Sequence, residues 1–427
     1  MALRNKRVAI DIDGTIFSEK SERERTDAVP IDGAIDAINS LYESGYTVVL
    51  YTARTYRELE RTIKQLVDND VKYHHLVVGK PVADVFVDDR AVVLTRWPDT
   101  LKAITRKLNP PLRHLTVLVT SAGSTNGVNI IKVLQEQTDY QIDIVAADTN
   151  SNAPGLYLAD HYAVTPETYS TRYLDTLLGV CEQHGVDILI PSYSGEMAFY
   201  CDNCELFNRI GIRMMISSRS SLDVCSDKTL MASFLKSRSI RYPDMYQSSS
   251  GLPFPVFIKS NHGSGSRHAR VVNNRTELDY HLMQIPSPII QEYINGEEYT
   301  VNILSDYNGE VVGAVPIRRT RVRNGLSVEA EVVMDNDIIE TSKKIVESLS
   351  LVGPSNVQVM KKGNEIVCIE INPRFASGTL PLAVGAGFNI PLLMIKLMLG
   401  EPVEGINIRD GMTMTRYLSW IIRGGTY

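Results

Sequence analysis

Hydrophobic runs and amphipathic stretches alternate from the first residues onward. "RVAIDI", "IDGAIDAINSLYESG", "YTVVLYT", "YRELERTIKQLVDND", "HHLVVG", "ADVFVDD" and "DTLKAITRKL" interleave strand patterns with helix patterns. Such alternation predicts right-handed crossovers and a parallel sheet with helices on both faces. The two prolines of "LNPPLRH" then interrupt both periods, because proline removes a backbone donor and restricts its predecessor. A first folding unit is expected over residues 1–111, an α/β domain of Rossmann-like type.

A second alternation comes next. "HLTVLVT", the turn "SAGSTNG", the helix "VNIIKVLQEQ" and the strands "IDIVAAD" and "VDILIPS" predict another α/β lobe over residues 112–220. Beyond it the strands draw closer in sequence: "FPVFIKS", "PIIQEYI", "EEYTVNILSD", "GEVVGAVPIRR", "SNVQVMKKG" and "NEIVCIEINP". Short connections between strands favour antiparallel pairing, so residues 221–427 are expected to form α+β lobes. No internal repeat of solenoid period is present.

Composition narrows the function classes. The 427 residues carry a net charge of −6 and no block of Lys and Arg, so a dedicated nucleic-acid surface is not expected. "PLAVGAGFNIPLLMIKLMLG" is interrupted by Asn389, Pro391 and Lys396, which predicts buried helices and no membrane span. Asp11 and Asp13 interrupt what could be a signal-peptide core, so a cytoplasmic protein is expected; a homo-oligomer is compatible with the sequence. The five cysteines are scattered and odd in number, unlike a disulfide framework. Cys201 and Cys204 have C-x-x-C spacing, but "EMAFYCDNCELF" reads as an amphipathic helix without a second such pair.

Candidate chemistry begins with "VAIDIDGTIF". Two carboxylates, Asp11 and Asp13, end a strand that is otherwise apolar, where charge is costly unless a cation or hydrogen bonds compensate it. Thr52 ends "VVLYT", Lys80 lies in "VVGKP", and Asp88 and Asp89 end "VFVDD", so all could meet at the carboxyl edge of one parallel sheet. Taken singly, Asp11 also fits a turn cap and Lys80 a solvated charge. Together, "DIDGT", "YTAR", "GKP" and "VDD" resemble the four motifs of the haloacid dehalogenase superfamily over about residues 6–109. That resemblance implies Asp11 as phosphoryl-accepting nucleophile and Asp13 as acid and base. It also implies Thr52 and Lys80 on the phosphate, and Mg²⁺ on Asp11, Asp13 and Asp88 with Asp89 assisting. The stretch after Thr15 is too short for a large cap domain, so an open site is expected.

"IVCIEINPRF" poses the same question again. Glu370 and Asn372 alternate with Ile369 and Ile371 and so share a strand face, and a hairpin at Lys362 and Gly363 would bring Gln358 beside Glu370. Oxygen donors from neighbouring strands suit Mg²⁺, and Arg374 follows at once. Upstream, Lys259 ends a strand before the loop Ser264, Gly265 and Ser266, whose amides could close over phosphates. Lys228 opens a helix, "QEYI" contributes Gln291, Glu292, Tyr293 and Ile294, and Glu298 follows. This ordered series is similar to the ATP-grasp superfamily over about residues 115–420, nearest to its carbamoyl-phosphate-synthase-like and biotin-carboxylase-like members. The resemblance implies Lys228 and Lys259 on ATP phosphates, "QEYI" around adenine and Glu298 on ribose. It further implies Gln358, Glu370 and Asn372 on Mg²⁺ or Mn²⁺, and Arg374 beside an acyl-phosphate. Gln358 departs from the carboxylate common in that family. In "IRRTRVRNG", strict alternation would set Arg319 and Arg321 on one face, either solvated or directed at an acceptor carboxylate or phosphate.

The expected function is bifunctional: an ATP-dependent, ADP-forming ligase of a small carboxylate with an amine or similar nucleophile, joined to a Mg²⁺-dependent phosphatase of a phosphorylated metabolite. The alternatives are a carbamoyl-phosphate-type kinase or carboxylase, or a ligase whose first unit is a silent docking module.

Overall fold

The computed structural model describes residues 6–20, 27–81, 91–108, 112–263 and 268–422. The chain forms two compact units, Met1–Leu112 and Arg113–Tyr427.

In the first unit, β1 (Arg7–Asp11), β2 (Thr47–Thr52) and β3 (His75–Val78) pair in parallel in the order β1-β2-β3. Helices Ala34–Glu43, Leu59–Asp68 and Trp97–Leu108 connect and follow them. Val8, Ile10, Val48 and Leu50 alternate into a core closed by Ile38, Leu41 and Trp97. Trp97 is buried and donates its indole N–H to the Thr15 carbonyl at 2.9 Å. Gly14, at φ +71°, turns the chain directly after Asp13, a conformation that disfavours any side chain. "VFVDD" lies outside the described residues.

The second unit begins with β4 (His114–Val119), β5 (Gln141–Asp148), β6 (His161–Val164) and β7 (Ile188–Ile190), parallel in the order β6-β5-β4-β7. Leu115, Val117 and Val119 point to one hydrophobic cluster and Leu118 to another, so the sheet is covered on both faces, as its continuous apolar strands require. "EMAFYCDNCELF" is two short helices, Met197–Asp202 and Cys204–Arg209, where one was expected. Asn203 interrupts them: its amide side chain donates to the Phe199 carbonyl at 2.8 Å and closes the first.

Next, β8 (Met245–Tyr246), β9 (Val256–Ser260), β10 (Arg270–Val272) and β11 (Pro288–Glu292) form an antiparallel sheet ordered β10-β9-β11-β8. The last sheet contains β12 (Glu297–Ser305), β13 (Val311–Arg323), β14 (Leu326–Val332), β15 (Gly353–Lys362), β16 (Glu365–Asn372) and β17 (Thr413–Thr415), ordered β16-β15-β12-β13-β14-β17 and antiparallel throughout. Helix Asn336–Ser348 covers one face through Ile338 and Ile345 packed with Val301, Ile303 and Val357. The apolar segment after residue 379 forms the buried helices Leu380–Gly385 and Ile390–Met398. Among the described residues, no helix is long and apolar enough to cross a membrane.

Two irregularities in the last sheet decide which side chains can share a site. The hairpin between β15 and β16 turns at residues 363–364, with Lys362 paired to Glu365, one position later than the sequence indicated. In β13 the register slips between Arg318 and Arg321 and again after Arg321, so Arg318 opposes Glu331 and Arg321 opposes Glu329. An inserted residue reverses the facing of everything beyond it. Arg321 therefore shares a face with Arg318, and the expected grouping of Arg319 with Arg321 does not form.

Candidate active sites

In the first unit, Asp11, Asp13, Thr52 and Lys80 converge where β1 and β2 end, as their motifs suggested. Lys80 Nζ lies 2.6 Å from Asp11 Oδ2 and 4.5 Å from the centroid of the Tyr51 ring. Thr52 is fully buried and donates its hydroxyl to Asp13 Oδ2 at 3.0 Å. Asp88 and Asp89 lie outside the described residues.

Arg54 had no role assigned from its motif, yet it organises the site. Its side chain is buried, and it grips Asp13 through Nη2 at 2.8 Å and Nε at 3.0 Å. Its remaining nitrogen donates to Gln65 at 2.8 Å and Thr62 at 3.2 Å in the following helix. Asp13 is thereby held in a fixed orientation, with a buried guanidinium and the Thr52 hydroxyl against its oxygens. Among the described residues, no group of three or more His, Cys, Asp or Glu is placed to hold a metal. Asp11 meets Lys80 through Oδ2 and accepts from the Ile12 amide at 2.9 Å.

The second unit holds a cavity of about 560 Å³ lined by Lys228, Lys259, Gln291, Glu292, Tyr293 and Ile294 together with Glu298, Gln358 and Glu370. All of these are candidates by their sequence motifs, and they surround one space. Ser264, Gly265 and Ser266 lie outside the described residues, while the flanking Gly263 and His268 also line the cavity.

Each cation is positioned by backbone. Lys228 starts helix Lys228–Ser237, which Asp227 caps by accepting from Thr229 and Leu230, and its Nζ donates to the Asn261 and Gly263 carbonyls at 3.1 Å each. Lys259 is the next-to-last residue of β9 and donates to the Ile369 carbonyl at 3.2 Å. Burial lowers both ammonium groups below the ordinary lysine value, with Lys259 brought to about 8 despite the nearby Glu370 carboxylate. Two desolvated cations, neither in direct contact with a carboxylate among the described residues, are poised for an anion.

Opposite them, Gln358 on β15 pairs in register with Glu370 on β16. Asn372 is one face-position further on, and its amide donates to Glu370 Oε1 at 3.1 Å and Asn356 Oδ1 at 3.3 Å, while its own oxygen accepts from Arg374 at 3.4 Å. Asn372 and Arg374 are not among the residues that line the cavity; Asn372 is hydrogen-bonded to Glu370, and Arg374 to Asn372. Arg374 is partly buried and reaches Ser194 Oγ at 2.6 Å, Phe375 O at 2.8 Å and Ser377 Oγ at 3.4 Å. Ser194 lies just after β7, beside the "SAGSTNG" turn after β4. The strand order reverses between these two strands, where open α/β sheets bind ligands. In that turn Gly123 already donates to Asp148 at 2.7 Å and Ser124 caps helix Thr125–Glu136.

Two carboxylates are less free than expected. Glu298 pairs with Arg319, which also binds Ser327 Oγ at 3.0 Å and the Gly325 carbonyl at 2.7 Å. Glu292 pairs with Arg241 and accepts from the Asp244 amide at 3.2 Å. Arg321 is exposed and paired with Glu329 at 2.8 Å, away from the cavity. Gln291 stands in contrast: it is 3% exposed and its Oε1 has no hydrogen-bond partner among the described residues. A buried acceptor left unmade beside a cavity indicates a donor on whatever fills that space.

Sequence reasoning also passed over Tyr193, Ser194 and Glu196. Glu196 is buried behind the loop, accepts from Thr120 Oγ1 at 2.5 Å and from Ser121 Oγ, and burial pushes its carboxyl up to about 7. A carboxylate in "PSYSGE" was the available signal, but its partners are 76 and 75 positions away.

Comparison with known proteins gives three family models in chain order. Residues 8–76 match a haloacid dehalogenase-like hydrolase, 117–215 a PylC-like N-terminal domain, and 284–418 an ATP-grasp in the biosynthetic pathway with Ter operon. The carbamoyl phosphate synthase large chain of Clostridium acetobutylicum is 22% identical over 280 residues, covering 60% of this chain and 26% of its own length. The chain thus spans about a quarter of that relative. Among solved structures, a biotin carboxylase–β,γ-ATP complex from Campylobacter jejuni aligns with a TM-score of 0.55 and 16% identity over 70% of this chain and 74% of its own. An L-amino acid ligase from Bacillus licheniformis aligns with a TM-score of 0.56 and 15% identity over 71% and 79%. Residues 8–76 are thus similar to a haloacid dehalogenase-like hydrolase, and the second unit has an ATP-grasp fold.

Proposed function

We propose that the second unit is an ATP-dependent, ADP-forming ligase that activates a small carboxylate as an acyl-phosphate for attack by an amine or similar nucleophile. The observation that carries this reading is the pairing of two desolvated lysines with Glu370 and Gln358 across one cavity. Lys228 and Lys259 bind phosphate oxygens, and the orphan Gln291 oxygen accepts from an amino group such as that of adenine. Tyr293 and Ile294 line the same cavity and contact the base. Glu298 faces the ribose while tied to Arg319. The donor set of Glu370 and Gln358 is all oxygen and carries one charge, which fits a Mg²⁺ or Mn²⁺ ion that completes its shell on phosphates. That ion would supply charge neutralisation during phosphoryl transfer. Asn372 orients Glu370 by hydrogen bond, and Arg374 holds the acyl group entering from the β7 loop.

We propose for the first unit a phosphohydrolase in which Asp11 attacks phosphorus, Asp13 handles the proton, and Thr52 and Lys80 bind the phosphoryl oxygens. Lys80 bridges to Asp11 in the position a phosphate would share, which supports the reading. Asp11, the Asp13 carbonyl and Asp88 would hold Mg²⁺.

Oxygen transfer tests the ligase. With a carboxylate labelled with ¹⁸O, one labelled oxygen should appear in the phosphate released along with ADP; unlabelled phosphate would exclude acyl-phosphate formation. The similarity to carbamoyl phosphate synthase keeps a second reading, a kinase or carboxylase acting on bicarbonate. Bicarbonate alone would then support ADP release without any organic acid or amine.

A further inference from the structure

Arg319, Arg374 and Arg416 lie on one closed circuit of contacts that starts and ends at the cavity. Glu298 on the cavity wall pairs with Arg319, and Arg319 Nε donates to Ser327 Oγ at 3.0 Å. The Ser327 carbonyl accepts from Arg416 Nε at 3.2 Å, and Arg416 Nη2 reaches the Ser377 and Gly378 carbonyls at 3.3 and 3.2 Å. Ser377 Oγ accepts from Arg374, and Arg374 leads back through Asn372 to Glu370.

Of these three charges, Arg319 alone is neutralised among the described residues. It has Glu298, whereas Arg374 and Arg416 touch hydroxyls, an amide oxygen and carbonyls, with no carboxylate in contact among those residues. Both are partly buried. Holding cations there without a counter-charge costs free energy that a bound anion would recover. A planar guanidinium fork matches carboxylate and phosphate equally well.

We propose that Arg374 and Arg416 bind the two anionic ends of one acid: Arg374 the carboxylate to be activated, Arg416 a second carboxylate or a phosphate. The substrate class is therefore a dianionic acid, and Arg416 is its specificity determinant. The inference rests on the ligase reading of this site and names the substrate class for it.

The test uses the full chain with ADP and Mg²⁺ present, titrated with glutarate, with 3-phosphopropionate and with the monoanion pentanoate while Tm is followed. A dianion should raise Tm at about tenfold lower concentration than pentanoate, the size of one charge-assisted hydrogen bond. The better of glutarate and 3-phosphopropionate identifies the second group. Arg416→Gln should remove the preference and leave the response to ADP intact. Arg209→Gln, an exposed arginine paired with Glu205, should keep it whole. If Arg416→Gln lowers the acid-free Tm, Arg416→Lys decides, with a weakened dianion response and an unchanged pentanoate response expected. Equal response to mono- and dianions, or a preference that survives loss of Arg416, overturns the proposal. ADP release separates it from the ligase reading. Arg416-dependent binding without ADP release from any acid would sink the ligase and keep the clamp, and ADP release driven equally by monoanions would do the reverse.

Discussion

Gln358 and Glu370 face each other across the β15–β16 ladder, and the very next pair is Val359 with Cys368, so Ile369 is squeezed out as a bulge. Its carbonyl, released from the regular ladder, accepts from Lys259 at 3.2 Å. One extra residue therefore ties the cation of β9 to the carboxylate face of β16. Bulges gather beside active sites because they re-aim groups in this way.

The pairing makes the charge at this point adjustable. Gln358→Glu would set a second carboxylate beside Glu370, which should tighten Mg²⁺ about tenfold, on the order of 1.4 kcal/mol. Without metal the same change places like charges opposite each other and should lower Tm. Half-activating Mg²⁺ concentration and metal-free Tm should thus move down together; a metal requirement that is unchanged would remove Gln358 from the metal's surroundings.

Lys259 sets a pH dependence with a definite sign. Its pKa in the free chain is about 8, below the ordinary 10.5, because burial disfavours the charge. Between those values the unfolded chain holds the proton and the folded one does not, so this group's contribution to stability rises with pH over that window. A phosphate beside Lys259 favours the charged form, so ADP binding without metal at a pH of about 8.5 should take up protons. Calorimetry in buffers of different ionisation enthalpy measures the uptake, and proton release on binding would contradict the placement.

Arg54 should matter to folding as well as to chemistry. Arg54→Met leaves Asp13 without its buried partner, and the loss should be about 3 kcal/mol, the low end for a buried pair because Asp13 keeps some exposure. The chain has only two tryptophans, and Trp97 is buried in this unit, so fluorescence of a Trp420→Phe background reports its unfolding in urea. An unchanged midpoint would mean the clamp carries no net stability.

The parts legible in sequence were those fixed by local periodicity. Glu370 and Asn372 declare their shared face by alternation, but Gln358 comes opposite Glu370 only because the hairpin turns at residues 363–364 and Ile369 bulges out of the ladder. Arg319 and Arg321 obey the same rule on paper, and the rule fails because bulges cannot be seen in the pattern. Arg54 and Ser194 were missed for a different reason. Their partners Asp13 and Arg374 are 41 and 180 positions away, and only tertiary structure makes such contacts. The orphan oxygen of Gln291 belongs to the same class, since an unmade hydrogen bond is a property of surroundings.

Independence of the two sites gives the most direct check. ADP release with acid and amine and hydrolysis of p-nitrophenyl phosphate are measured on one preparation each of the parent chain, Asp11→Asn and Glu370→Gln. Glu370→Gln should lose at least about a hundredfold in ADP release, as expected for removal of a group that neutralises the transition state, and keep phosphate-ester hydrolysis; Asp11→Asn should show the opposite. ADP release undiminished in Glu370→Gln would contradict the assignment of the β15–β16 face as the seat of phosphoryl transfer.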